Sequence, residues 1–374
     1  FCPFDGIHAA GYVQRYSSAG NRKGAWWIMR ISQQVTVGGV PVGGGAKITV
    51  QSMLNTPAGE IMTAVQQAEE LEKAGCEILR AAVPDESSIE LIPALKKAVH
   101  IPIVADIHFN YRLALAAAAA GVDAIRINPG NIGSNDRVKA VADACRERAI
   151  PIRIGVNSGS VRKEILQKYG GPTPEALAES ALYHASLLEK FGFSKIVLSI
   201  KSSDVNTMIA ANEIVARKCD YPLHLGVTHA GTERTGLIKS SIGIGTLLRE
   251  GIGDTIRVSL TADPVQEVQA GVGILKALGL RGGTKIISCP TCGRTQIDLL
   301  KITDEVEKRL SNCKKNITVA VMGCAVNGPG EAREADVGIA GGDGCGLIFK
   351  KGQVLRKVPE SELVDSLMQE IENL

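Results

Sequence analysis

From residue 47 onward the chain alternates between two hydrophobic rhythms. Short runs rich in β-branched residues read as strands: Lys47–Met53, Glu77–Val83, Pro102–Ile107, Ala124–Asn128, Pro151–Asn157, Lys195–Lys201, Pro222–Thr228 and Thr255–Leu260. A polar or glycine-containing loop follows each run, and then a stretch of helical period. In Glu60–Ala74, for example, Ile61, Val65, Ala68 and Leu71 fall on one face. Strand–helix alternation of this kind demands a parallel sheet with right-handed crossovers. Eight such units fit a closed (β/α)8 TIM barrel, class α/β, better than an open doubly wound sheet. Upstream, Gln34–Val37 and Val40–Val42 flank Gly38-Gly39, a hairpin pattern expected to plug the bottom of the barrel. The barrel with its hairpin is expected over residues 29–280, and Arg281-Gly282-Gly283 reads as a linker.

Residues 284–374 carry a different order of elements and predict a smaller α+β domain. A strand is expected at Lys285–Ser288, a helix near Gln296–Leu310 and a strand at Ile317–Met322. Two or three short strands follow between Asp336 and Val358, then a last helix from about Glu360.

Composition changes the picture mainly at the N-terminus. With 45% apolar and 22% charged residues the chain is globular, and no run of 18 apolar residues predicts a membrane span. Residues 1–30 hold Arg15, Arg22, Lys23 and Arg30 against Asp5, and also both tryptophans. The remainder balances at 38 basic and 38 acidic groups, so no nucleic-acid surface is expected. Residues 1–28 read as an extension outside the body, with Met29 a candidate start. They lack the apolar centre of a signal peptide, and nine cysteines is an odd count. A disulfide framework is therefore not expected, and the expected location is the cytoplasm.

Candidate chemistry sits at the C-terminal ends of the barrel strands, the catalytic face of this fold. Those ends read Arg80, Asp106, Arg126 with Asn128, Arg153 with Asn157, Lys201, His229 and Ser259. Four cations converging from four strands would cost several kcal/mol unless an anion compensates them. Arginine forks match phosphate oxygens, so a phosphorylated or diphosphorylated ligand is the natural counter-charge. In the second domain, Cys289-Pro290-Thr291-Cys292 forms a CxxC, and Cys324 stands in the loop Met322-Gly323-Cys324-Ala325. Zinc is one reading, with Cys313 and Cys345 available to complete a four-cysteine set. Three thiolates with an unfilled fourth corner equally suit a [4Fe–4S] cluster.

These residues, taken together with Asn327-Gly328-Pro329-Gly330-Glu331, resemble the bacterial 4-hydroxy-3-methylbut-2-enyl diphosphate synthases, iron–sulfur enzymes of isoprenoid biosynthesis by the methylerythritol phosphate route. The barrel agrees at Val50-Gln51-Ser52-Met53, Ala105-Asp106-Ile107-His108-Phe109, Arg126-Ile127-Asn128-Pro129-Gly130-Asn131 and Gly253-Asp254-Thr255-Ile256-Arg257-Val258-Ser259-Leu260. The resemblance runs from about Arg30 to near the C-terminus and implies reductive opening of a cyclic diphosphate. It further implies a [4Fe–4S] cluster on Cys289, Cys292, Cys324 and Glu331, with a flavodoxin or ferredoxin as electron donor. Substrate contacts would fall on Arg80, Asp106, Arg126, Asn128, Arg153, Asn157, Lys201 and Ser259. One departure is visible. Where the resemblance implies Thr-Glu-Ala-Gly, the chain reads Thr228-His229-Ala230-Gly231, so either His229 takes the proton role, or Glu233 reaches in from four residues on, or the acid is not essential.

A pterin- or corrinoid-linked methyltransferase barrel with a metal appendage is the alternative enzyme, and a metal-stabilised binding protein the non-catalytic one. A linker over residues 279–283 spans under about 18 Å at ~3.5 Å per residue. The barrel is roughly 20 Å tall at ~3.3 Å per strand residue. A second domain starting at the barrel's bottom would therefore struggle to reach its own top, and a homodimer is expected.

Overall fold

A computed structural model describes residues 16–18, 28–311, 313–325, 330 and 332–374. The extension over residues 1–28 lies outside the described residues apart from Tyr16–Ser18 and Ile28, and Glu331 lies outside them as well. The chain divides between Leu278 and Gly279 into two units. Among the described residues no helix is long and apolar enough to cross a membrane.

The first unit begins with two short antiparallel pairs, β1 (Tyr16–Ser18) with β2 (Ile28–Arg30) and β3 (Val35–Val37) with β4 (Val40–Val42). Eight parallel strands follow: β5 (Thr49–Met53), β6 (Ile78–Ala82), β7 (Ile103–Asp106), β8 (Ala124–Ile127), β9 (Ile152–Asn157), β10 (Ile196–Lys201), β11 (His224–Leu225) and β12 (Thr255–Ile256). Their order is β10-β9-β8-β7-β6-β5-β12-β11. The ring closes where Leu198 pairs with Leu223, the Leu198 amide donating to the Pro222 carbonyl at 2.9 Å. The expected barrel is therefore present.

The outward residues of these strands, among them Leu79, Ile103, Ile125, Ile152 and Ile154, are fully buried beneath the helices. Each such side chain contributes about 1.5–3 kcal/mol. Several helices start at side-chain caps: Asn110 accepts from the Arg112 amide, Thr173 from Ala176, Asp204 from Thr207 and Asp263 from Val265. Each cap is worth about 1 kcal/mol.

β11 and β12 are shorter than the apolar pattern predicts. Gly226 follows β11 directly, and a side chain there would meet the Arg257 carbonyl oxygen at 2.6 Å. This close backbone approach ends the regular ladder, as glycine in a strand pattern often does.

The hairpin sits under the barrel as expected. Gly38 and Gly39 both take positive φ, at 51° and 89°, the requirement of the two-residue turn that matches strand twist. Val37 and Val42 then pack with Ile78, Val104 and Ala124, which lie at or next to the first residues of β6, β7 and β8. Arg30 anchors the entering chain by donating to the carbonyls of Ala216, Cys219 and Tyr221.

The second unit is a five-stranded sheet of β13 (Lys285–Ser288), β14 (Thr318–Met322), β15 (Val337–Gly342), β16 (Cys345–Lys350) and β17 (Gln353–Pro359), in that order. The first three run parallel, and β16 and β17 are antiparallel additions. The helix Leu299–Leu310 turns Leu299, Ile302, Val306 and Leu310 onto one face of the sheet, beside Leu363, Leu367 and Ile371 of the last helix. On the other face Ala320, Met322, Ala332, Ala335, Ala340 and Phe349 form a smaller core. The half-buried Cys289 packs against both cores.

Candidate active site

The barrel interior is built around one carboxylate. Asp106, the last residue of β7, is fully buried and lies 2.6 Å from Arg80 Nη2 and 3.1 Å from Arg126 Nη1. His108 Nε2 stands 3.4 Å away on the same carboxylate. Burial alone would raise the Asp106 carboxyl, but Arg80 and Arg126 outweigh it and hold the group down at about 2. Arg153 reaches across the barrel from β9 and donates to the Gln51 side chain on β5. Arg257, just past β12, pairs with Glu267 at 3.1 Å, and Glu267 also accepts from the Leu260 amide at 2.8 Å.

Five cationic heads thus share the interior with the carboxylates of Asp106 and Glu267. Lys201, at the end of β10, is buried and makes no ion pair among the described residues. Burial, followed by Arg257 and Arg80, pushes its ammonium well below the ordinary lysine value. Burial, then Arg80 and Arg126, acts in the same direction on Arg153. An arginine nevertheless keeps its charge, so the repulsion stays in the site. Arg80 Nε, Arg153 Nη2 and Arg257 Nε are buried without hydrogen-bond partners among the described residues. So are both ring nitrogens of the buried His224, whose protonation is suppressed by burial and then by Arg153 and Lys201. The interior holds more positive charge and more donors than the described residues satisfy.

The predicted site residues separate into two groups. Arg80, Asp106, Arg126, Arg153 and Lys201 come together inside the barrel. One correction applies here: Arg153 is the second residue of β9 and faces Arg126 in register, so it enters low in the barrel rather than from the strand's C-terminal end. A cavity of about 20 Å³ beneath it, bordered by Gln51, Thr255, Val37 and Val42, marks that lower level. Asn128 caps the one-turn helix Pro129–Ile132 with its side chain on the Gly130 amide. Asn157 caps the short turn Ser158–Ser160. Ser259 is half-buried in the loop that Glu267 fixes. His229 is exposed on the loop after β11 and Glu233 is exposed as the first residue of the helix Glu233–Arg249, and neither bonds to the cation cluster among the described residues. His229 holds a left-handed backbone, φ 49°, which costs a non-glycine residue energy. Sequence reasoning missed Arg257, Gln51, His224 and Glu267. Arg257 stands two positions before Ser259, and strand parity was the signal that places both on one side.

In the second unit the thiols gather where β13 and β14 end. The Cys289 amide donates to the Val321 carbonyl at 3.3 Å, and the Gly323 amide donates to Cys289 Sγ at 3.0 Å. The CxxC turn is stitched to the loop of Cys324 by the Gln296 amide, which donates to the Gly323 carbonyl at 2.9 Å. A side chain on Gly323 would meet Thr295 at 3.0 Å, and one on Gly341 would meet the Gly323 carbonyl at 2.6 Å. Cys324 is buried and Cys292 exposed, and all three thiols are free. The Arg294 backbone amide, and then its side chain, draw the Cys292 thiol below its ordinary value.

Cys313 cannot complete a four-cysteine zinc set with these. Its carbonyl accepts from Thr284, at the opposite end of β13 from Cys289. Among the described residues no three His, Cys, Asp or Glu side chains close on a single metal ion. Soft free thiols on adjacent strand ends, one already accepting an N–H, fit the donor chemistry of an iron–sulfur group.

Residues 32–272 match the family model described as the GcpE TIM-barrel domain, and residues 285–373 match that of the GcpE protein C-terminal domain. The chain belongs to the GcpE family. Relatives in this family include the 4-hydroxy-3-methylbut-2-en-1-yl diphosphate synthase (flavodoxin) of Clostridium perfringens, 60% identical over 92% of this chain and 99% of that one. The protein of the same description from Geobacter sulfurreducens is 55% identical, covering 92% and 98%. Among solved structures, dihydropteroate synthase from Stenotrophomonas maltophilia aligns with a TM-score of 0.50 at 16% identity, covering 66% of this chain and 97% of that one. That likeness shows the barrel fold alone.

Proposed function

We propose that the chain catalyses the reductive ring opening of 2-C-methyl-D-erythritol 2,4-cyclodiphosphate, with loss of water, to (E)-4-hydroxy-3-methylbut-2-enyl diphosphate. The relatives carry the name of this synthase over nearly their whole length. The observation that carries the reading to this chain's own residues is the under-compensated cation set in the barrel, which a diphosphate would neutralise. The methyltransferase alternative finds no support in the family matches.

In this proposal Arg80 and Arg126, aligned in advance by Asp106, grip phosphoryl oxygens from one side of the barrel. Lys201, Arg153 and Arg257 face them, and Asn128, Asn157 and Ser259 add neutral donors or acceptors at the rim. Opening the ring breaks a carbon–oxygen bond and leaves new negative charge on the departing phosphate. Fixed cations already in place stabilise that charge with little reorganisation. His229 or Glu233 delivers the proton that lets the hydroxyl leave as water.

Cys289, Cys292, Cys324 and Glu331 are proposed to hold a [4Fe–4S] cluster. When bound, the cluster would relay the donor's two electrons one at a time and supply a Lewis-acidic iron. A carboxylate is a harder and more exchangeable iron ligand than thiolate, which suits Glu331 to yield its place. The electron donor proposed is a flavodoxin, as the relatives' names state, or a ferredoxin, and the setting is the cytoplasm.

The test is anaerobic turnover with reduced flavodoxin. The cyclic diphosphate should be consumed and the linear diphosphate formed, and iron-loaded protein that converts none of it would refute the assignment. The proposed homodimer rests on the short segment over residues 279–283 and has its own test. Mixing inactive Arg153→Ala and Cys324→Ser chains should restore activity to roughly a quarter of wild type, because half the dimers then contain one intact site. Subunit exchange without recovery would contradict it.

A further inference from the structure

We infer that Gly155 is a positioning residue for the barrel's anion site: the empty place on β9 seats the Arg126 guanidinium and keeps it back from the barrel axis. The inference rests on the reading of the barrel as a diphosphate site. Gly155 lies two residues beyond Arg153 on β9, so it faces the same interior. Arg126 on β8 is paired in register with Arg153, one inward position lower. A methyl group built on Gly155 would lie 2.5 Å from Arg126 Nη2 and 2.8 Å from its Cζ. Real carbon and nitrogen atoms do not approach so closely, so the guanidinium rests against the bare Cα. Its other edge is fixed 3.1 Å from Asp106 on β7. The head therefore lies along the wall across three neighbouring strands.

Interior positions of such barrels are normally filled by bulky branched side chains, and glycine weakens a strand. The exception falls where a cation needs the room. Its three nearest neighbours are all atoms of the Arg126 head, and no backbone is among them. Gly226 is the counterpart beside Lys201 Nζ, but a methyl there would also strike the Arg257 carbonyl at 2.6 Å. That glycine has a backbone reason of its own. At Gly155 the three atoms nearest a methyl all belong to the guanidinium, which must swing toward the axis and into the space for a phosphoryl group.

The experiment titrates inorganic diphosphate into anaerobically purified full-length protein by calorimetry, with thermal melting alongside. Gly155→Ala should weaken binding roughly ten- to hundredfold, the loss of one charge-assisted hydrogen bond, with little change in melting. In an Arg126→Ala background the same methyl should cost nothing further, because the head it displaces is gone. A Gly155→Ala chain that folds only when Arg126 is also truncated would support the inference by another route. Wild-type affinity in Gly155→Ala would overturn it. So would an equal loss in both backgrounds, or misfolding in both, since either outcome makes Gly155 part of the wall. If the wild type binds no diphosphate, the reading of the barrel itself fails, and the inference fails with it.

Discussion

The two units solve the problem of holding chemistry in opposite ways. In the barrel, the groups proposed to bind the diphosphate are largely buried and aligned by the protein's own atoms. Asp106 fixes two arginines, Gln51 a third, and Glu267 a fourth together with the loop of Ser259. In the second unit the thiols occupy loops at strand ends, from the buried Cys324 to the exposed Cys292, and their mutual support is a handful of backbone hydrogen bonds. On the proposed reading, the barrel aligns an anion site with its own ion pairs, whereas the thiol site would depend on its metal for its final form.

Removing a thiol should break this comparison most severely on one side only. Cys324→Ser is expected to abolish bound iron and turnover, while the barrel still binds inorganic diphosphate with unchanged affinity. Glu331→Gln should retain most iron and lose most turnover. Iron analysis and titration calorimetry on the same samples read both halves. Loss of diphosphate binding in Cys324→Ser would show that the barrel site is not independent.

Asp106→Asn tests the barrel's half. It leaves Arg80 and Arg126 buried without their counter-charge, a change that typically costs about 3–5 kcal/mol. Denaturant unfolding should show the loss, and added diphosphate should return part of it. The pH dependence has a definite sign. The Asp106 carboxyl sits at about 2 when folded, below its usual range near 4, so its contribution is complete above about 4. It is then lost as the pH falls toward 2. A stability curve flat through that window in wild type, and unchanged by Asp106→Asn, would contradict the ion-pair account.

Most of the barrel was legible from period alone, because strands such as Ile152–Asn157 and Ile196–Lys201 set buried apolar residues at every second position, Ile152, Ile154 and Val156 in one and Ile196, Leu198 and Ile200 in the other. The hairpin was legible from Gly38-Gly39, the only residue type at ease with both of those φ values. The β11–β12 side was less so, since the tight approach at Gly226 depends on a carbonyl thirty-one positions away at Arg257. The same geometry hid Arg257 as a site residue. Arg153 was picked by type but set too high, because its depth depends on pairing with Arg126. Asp106 could be named from its strand end. Its hold on two arginines required the register of β6, β7 and β8.

The central claim is a division of labour, with the barrel binding the diphosphate and the thiol domain supplying iron–sulfur chemistry. Its most direct measurement follows one anaerobic preparation before and after iron is stripped with a chelator. The account predicts brown protein with about four irons and four sulfides per chain. Stripping should abolish conversion of the cyclic diphosphate yet leave its affinity within about threefold, a change below 1 kcal/mol. Colourless protein carrying zinc, or substrate affinity that disappears with the iron, would contradict it.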